Sequence, residues 1–260
     1  EQDVLQFLNR TDELGGNDVK VDLDSEKTKY PAKSKSGEIG SVVPTNVAQP
    51  LAKVLSRFKD IDSYVQTKLG YPSKEDLYNA LAAEQIDSVA MAIYQIENGK
   101  ALIIGDMTGV GKGRQAAAII RYATLEGKKP IFITEKAHLF SDMYRDLLNI
   151  GSGALVPFML NSKSQKSDPT ITDKDGVVVY KPFSEAKKNP ILKSGKLPDE
   201  YDYIMLTYSQ LNTDKEKGSV KQSFISSMAE GNVIVMDESH NAGGGVYTGA
   251  FLSGVRLTAQ

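Results

Sequence analysis

The sequence is 260 residues long, enough to bury a full core, and its 31 basic and 33 acidic residues leave a formal net charge of −2. That balance excludes a global basic field, so any nucleic-acid contact has to be local. The absence of cysteine excludes disulfides, thiolate metal sites and cysteine nucleophiles and suits an intracellular protein; no apolar run approaches membrane-spanning length. In chain order, residues 1–40 are polar and charged and read as a flexible arm or linker, with only Val4-Leu5-Gln6-Phe7-Leu8 able to hold a helical turn. Glu1 in place of a methionine, with no basic-then-apolar leader, reads as the start of a processed product or of a piece of something longer. Residues 41–82 form a helical segment: Leu51, Val54, Leu55, Phe58, Ile61, Tyr64, Val65 and Leu69 recur at helical spacing as one apolar stripe. Tyr71-Pro72 ends it, and Ser73 with Asp76 resembles an N-terminal cap for the next helix. A further helix is expected over 83–97, stopped by Asn98-Gly99.

From residue 83 to 260 strand and helix alternate. Strands are expected at 102–105, 131–134, 203–206 and 233–236, and helices at 113–125, 137–149 and 220–229. This pattern predicts an α/β fold with a mostly parallel sheet covered by helices on both faces. Residues 161–200, lysine-rich and broken by prolines, read as a surface insertion, with Asp175-Gly176 beside Val177-Val178-Val179 marking a small hairpin.

The densest chemical signal is Gly105-Asp106-Met107-Thr108-Gly109-Val110-Gly111-Lys112-Gly113-Arg114, set between an apolar run and a helical pattern. Glycines let backbone N–H groups turn onto phosphate oxygens, the helix N-terminus adds partial positive charge, and Lys112 would reach the β- and γ-phosphates. Two positions depart from the strict P-loop pattern. Asp106 stands where the first glycine belongs, and Gly113 replaces the Ser or Thr that holds magnesium.

A second signal lies at Asn232-Val233-Ile234-Val235-Met236, a β-branched run that ends at Asp237-Glu238-Ser239-His240. Adjacent carboxylates at the end of a buried strand are costly unless they meet a metal or a proton to move. With a P-loop upstream, Asp237 is the candidate holder of Mg²⁺, mostly through water, and Glu238 the candidate base for the water that attacks the γ-phosphate. Without that partner the same pair could simply cap the following turn.

These motifs, with four others in order, resemble the strawberry notch family of superfamily 2 DExH-box helicase-like ATPases, specifically the first RecA-like lobe. The six segments are Val43-Pro44-Thr45-Asn46-Val47-Ala48, Glu84-Gln85-Ile86, the 109–114 loop, Arg145-Asp146-Leu147-Leu148-Asn149-Ile150-Gly151, Thr207-Tyr208-Ser209 and Asp237-Glu238-Ser239-His240. Serine stands in the last of these where the family has cysteine, and glycine after the lysine is the family's own variant. The resemblance covers about residues 41 to 245.

The resemblance implies ATP and Mg²⁺ as cofactors and ATP hydrolysis as the activity. Gln85 would read the adenine edge, although a glutamine on a helix is commonly only a solvated polar residue. Thr108, Gly109, Val110, Gly111, Lys112, Gly113 and Arg114 would hold the phosphates, with Thr108 a possible aid to the metal, and His240 would link the nucleotide site to a second lobe. Lys136, His138, Thr207 and Tyr208 are the candidates for sequence-independent contact with DNA or RNA, and Lys163, Lys166, Lys187, Lys188, Lys193 and Lys196 could add a basic patch or merely solvate the insertion. The implied partners are nucleic acid, a second RecA-like lobe, and phage or antirestriction assembly proteins, with no membrane, in a bacterial cytoplasm or phage particle. The sequence stops before the family's Ser-Ala-Thr motif, so the lobe reads as incomplete at its C-terminal side and poorly active alone. The alternative is a nucleotide-binding scaffold module without active translocation.

Overall fold

The computed structural model describes residues 26–37, 40–104, 111–165, 167–211 and 220–238. Within the expected polar arm, residues 26–37 are folded onto the helices. Strand β1 (Lys27–Lys29) pairs antiparallel with β2 (Val42–Pro44), with Thr28 opposite Val43. Next to it, two buried carboxylates take the backbone of the following loop. Lys33 and Ser34 donate their N–H groups to Asp87 at 2.8 and 2.9 Å, and Lys35 N–H and the Ser34 hydroxyl donate to Asp62 at 3.1 and 2.5 Å. The Tyr78 hydroxyl donates to Asp62 as well, at 2.9 Å. Peptide N–H groups thus supply what water would have supplied to a buried acid.

Burial pushes the Asp87 carboxyl up to about 6; the nearby Asp62 charge adds to this, and the Lys33 and Ser34 N–H groups and Tyr30 oppose it. A carboxyl whose folded pKa is raised stabilises the fold fully below its unfolded value of 3.8 and loses that contribution as pH climbs through about 6. The stability difference between the natural chain and Asp87→Asn should therefore shift against the natural chain from pH 4 to pH 7, by on the order of 2 kcal/mol. Denaturant titration of both proteins across that range is the check, and a difference flat in pH would contradict it.

The apolar stripe expected over 51–69 forms two helices, α1 (Thr45–Leu55) and α2 (Ile61–Lys68). The break has a local cause: Asp60 adopts an extended conformation and its carboxylate accepts the Ser63 N–H at 3.0 Å, so it starts a new helix. Helix α3 (Lys74–Ala80) begins at Ser73, whose hydroxyl accepts the Asp76 N–H at 3.1 Å, and α4 (Ala83–Glu97) matches the expected span, with Gly99 at φ 65° just beyond it.

Helix α5 (Lys112–Leu125) leads to strand β3 (Ile131–Thr134), then helix α6 (Leu139–Asn149) and strand β4 (Pro157–Met159). A hairpin of β5 (Ile171–Thr172) and β6 (Val178–Tyr180) follows, its turn held by Asp173, whose carboxylate accepts the Asp175 and Val177 N–H groups. Helix α7 (Glu185–Ser194), strand β7 (Tyr203–Thr207), a 3₁₀ turn (Tyr208–Leu211), helix α8 (Val220–Ala229) and strand β8 (Ile234–Met236) complete the described elements. The main sheet runs β4-β7-β3-β8, all parallel, with Thr134 level with Thr207 and Ile133 level with Met236.

Alternate residues of these strands feed two separate cores, as a sheet buried on both faces requires. Phe132, Met159, Tyr203 and Met205 join α4, α5 and α6 through Ile86, Ala117, Ile120 and Phe140. Ile131, Ile133, Phe158, Ile204 and Leu206 face the other way, onto Leu192, Phe224 and Ile225 of α7 and α8. This is the mixed α/β arrangement of a P-loop NTPase. Two expectations need correction. Residues 161–200 are more than a surface insertion, because Ile171, Leu192 and Leu197 lie in the cores. The strand expected over 102–105 joins no ladder among its described residues, 102–104: a short apolar run gains strand geometry only from a partner, and Ile103 is 88% exposed.

Candidate functional site

In a parallel sheet all strands end at one edge, and loops leaving that edge converge. Thr134, Asn161, Thr207 and Asp237 follow or end their strands there. The Asp237 N–H continues the ladder by donating to Ile133 O at 2.8 Å. Its carboxylate accepts the hydroxyl of buried Thr134 at 3.0 Å, and its carbonyl accepts the Tyr208 hydroxyl at 2.8 Å. Asp237 is thereby held from β3 through its carboxylate and from the turn after β7 through its carbonyl. Tyr208 has its hydroxyl pushed up to about 12, by burial first and then by the charges of Asp237 and Glu238. It is placed to brace the acidic turn.

Glu238 is exposed and takes φ 50°, the positive-φ residue among the described non-glycine positions. A branch-free but long acidic residue there costs backbone strain that a glycine would avoid, and such strain gathers at working sites. Asp237 and Glu238 therefore sit side by side but differ in setting: one bonded into the sheet edge, the other exposed at positive φ.

The second group is built around the start of α5. Gly111 has φ 80° and forms the helix N-cap, so Lys112 occupies the first helical position, exposed to solvent. The buried Gln85 side chain lies against it. Its oxygen accepts the Ala82 N–H at 3.0 Å, completing the first turn of α4, while its amide nitrogen donates to Gly111 O at 3.4 Å. A Cβ on Gly111 would run into that amide, so both the backbone angle and the close approach require glycine. Gln85 thus joins α4 to the N-terminal end of α5 through both ends of its amide. A close approach also marks Gly113, where an added Cβ would collide with the Asp146 carboxylate of α6 and sit 3.1 Å from its Cγ.

Thr108, Gly109, Val110 and His240 lie outside the described residues. Among the polymer-contact candidates, Lys136 and His138 are exposed at the entry to α6. Thr207 is corrected: it is 3% exposed, its N–H donates to Asn161 Oδ1 at 3.0 Å and its hydroxyl accepts from Asn161 Nδ2 at 2.9 Å. Its last strand position points both groups into the protein. Lys188 leaves the expected basic patch for the same reason: it is fully buried, donating to Leu160 O at 3.1 Å, bonded to the Ser162 hydroxyl and paired with Glu185 at 2.9 Å. Lys163 is paired with Asp168, and Lys166 lies outside the described residues.

Among the described residues no three acidic or imidazole side chains converge as a complete metal cage. Residues 63–250, well over half of the chain, match the family described as P-loop containing NTP hydrolase pore-1. The chain belongs to that family. The NTP hydrolase pore-1 match spans α2 to the acidic turn, and so includes Gln85, Lys112, Asp146, Asp237 and Glu238.

The chain is also similar to three strawberry notch proteins. It is 29% identical to Protein strawberry notch homolog 1 of Gallus gallus over 72% of its length, and 31% identical to Protein strawberry notch of Drosophila melanogaster over 68%. Protein strawberry notch homolog 2 of Mus musculus is 29% identical over 66%. The alignments cover only 14, 11 and 12% of those relatives. No solved structure matches the chain. Sequence reasoning missed Thr134, Asn161 and Asp146 as site neighbours. The signal for Thr134 was present, a polar residue closing an apolar strand; that for Asn161 was lost in a lysine-rich stretch, and Asp146 stood in the 145–151 segment without a role of its own.

Proposed function

We propose that this NTP hydrolase pore-1 chain is the ATP-binding lobe of a helicase-like motor that couples ATP hydrolysis to movement on, or remodelling of, nucleic acid. The observation that carries the reading is the acidic turn itself. Asp237 is fixed by Thr134 and Tyr208 at the edge where parallel strands end, in a chain whose P-loop lysine opens helix α5. Lys112 and the N–H groups of the first α5 turn would hold the β- and γ-phosphates, with Gly111, Gly113 and Arg114 beside them. Asp237 is the carboxylate that would hold a magnesium ion, and Glu238 the one that would take a proton from the attacking water. The bound ion supplies charge neutralisation on the phosphates.

Lys136 and His138 are exposed and well placed to meet a phosphate backbone without reading sequence. The resemblance to superfamily 2 motors adds a second RecA-like lobe with arginine fingers, and His240 as its link to the nucleotide. A motor of this type works inside the cell, where ATP is available; a bacterial or phage setting and assembly partners there belong to the same proposal.

A titration of the lobe with a fluorescent ATP analogue and Mg²⁺ should show saturable binding, with turnover far below the roughly 10 s⁻¹ of a median enzyme. With the second lobe present, DNA or RNA of arbitrary sequence should raise turnover, and the binding should weaken steeply with salt. Nucleotide binding with no response to either polymer at low salt would leave a scaffold module in place of a motor.

A further inference from the structure

Gly113 lacks the hydroxyl that ordinary P-loops offer at this position, and a carboxylate lies where a side chain there would go. A side chain there would collide with the Asp146 carboxylate, which reaches across from α6 and sits against the first turn of α5. Asp146 is half-buried, and that burial raises its pKa while Arg114 and Arg145 pull it down. Arg145 is ion-paired with Asp142 on α6, and the charge of Arg114, the residue after Gly113 on α5, also favours the ionised form of Asp146. The contact therefore consists of a notch without a side chain, a carboxylate filling it and a positive charge one residue on.

We propose that Asp146 is a positioning residue of the nucleotide site: seated in the notch at Gly113 and attracted by Arg114, it fixes the first turn of α5 and so the direction from which Lys112 reaches phosphate. This inference rests on the nucleotide-binding reading above. It also assigns a reason to Gly113 that conformational freedom does not supply, since Gly113 has ordinary helical geometry and no positive φ. An anchored first turn costs nothing to reorder when phosphate arrives, whereas a loose one loses affinity to ordering.

The test is a double-mutant cycle on the whole chain, read by thermal stability and by affinity for a fluorescent ATP analogue with Mg²⁺. Asp146→Ala should weaken nucleotide binding about tenfold with Tm little changed, and Asp146→Asn, which keeps shape but not charge, should fall between. Gly113→Ser should lower Tm and abolish binding, and adding Asp146→Ala to it should restore Tm and most of the affinity of the Asp146→Ala chain. Additive effects of the two changes on Tm would overturn the proposal whether or not nucleotide binds. Unchanged affinity in Asp146→Ala would overturn it while leaving the nucleotide reading intact. Loss of affinity in Asp146→Asn only when Mg²⁺ is present would also overturn it, in favour of direct metal contact. No binding by the natural chain, or equal binding by Lys112→Ala, would sink the nucleotide reading, and the Tm cycle would still judge the contact.

Discussion

Glu238→Gln is expected to leave ATP binding near that of the natural protein and to cut turnover by about 10²- to 10⁴-fold, the range for loss of a positioned general base. The amide keeps the size of the carboxylate and takes away only its ability to accept a proton. Glu238 is suited to this test because it is exposed at φ 50°, so the change removes no buried packing. Lys112→Ala should do the reverse. Removing a cation from a charge-assisted phosphate contact costs about 2–5 kcal/mol, so affinity should fall by at least roughly thirtyfold before chemistry is reached. Binding titrations and steady-state turnover, run on the protein with its second lobe and nucleic acid, separate the two effects. Near-natural turnover in Glu238→Gln would remove the general base from the mechanism. Equal ATP affinity in Lys112→Ala would place the phosphates elsewhere.

Phe158→Ala should be the most damaging single truncation for stability. Phe158 is completely buried on β4 and sits at the middle of an aromatic cluster: its ring centroid lies 5.3 Å from Tyr201, 5.8 Å from Phe183 and 6.0 Å from Phe224. Truncating a buried phenylalanine costs about 3–5 kcal/mol, a large part of the roughly 5–15 kcal/mol by which a domain is stable. These rings tie the edge strand to α8 and to the segments on either side of α7, so the cavity has little freedom to collapse. Val178→Ala, on the exposed hairpin at 45% exposure, serves as the contrast and should stay within about 0.5 kcal/mol. Denaturant unfolding of both variants gives the comparison; a cost under about 1 kcal/mol for Phe158→Ala would mean the cluster does not hold that face together.

The sequence carried the elements whose cause is local. Ile-Phe-Ile-Thr at 131–134 is short, β-branched and bounded by turn residues, and it is a strand over that span; 83–97 has helical spacing and a glycine stop, and it is a helix over that span. The Asp-Gly turn at 175–176 likewise forms its hairpin. What escaped was set through space. A lysine in a charged, proline-broken stretch reads as surface, yet Lys188 is buried because a carbonyl, a hydroxyl and a carboxylate meet its ammonium. Thr207 reads as a hydroxyl on a loop, yet Asn161, 46 residues earlier, takes both of its polar groups. At the site, the acidic pair and the lysine were legible as motif, whereas the residues that aim them, Thr134, Tyr208 and Asp146, were not. Their partners lie on other elements, at separations no window along the chain can span.

The division of the sheet between two cores also limits how this chain can change in length. Along β7, Tyr203 and Met205 serve one core and Ile204 and Leu206 the other, and the two cores differ in character: small alanines of α5 on one side, an aromatic cluster on the other. Gaining or losing one residue in that strand would present tyrosine to a space shaped by isoleucine and would move Thr207 off Asn161. The 173–177 turn carries no such double duty. The hairpin turn can therefore drift in length, while the four strands that end at one edge can exchange side chains but not spacing.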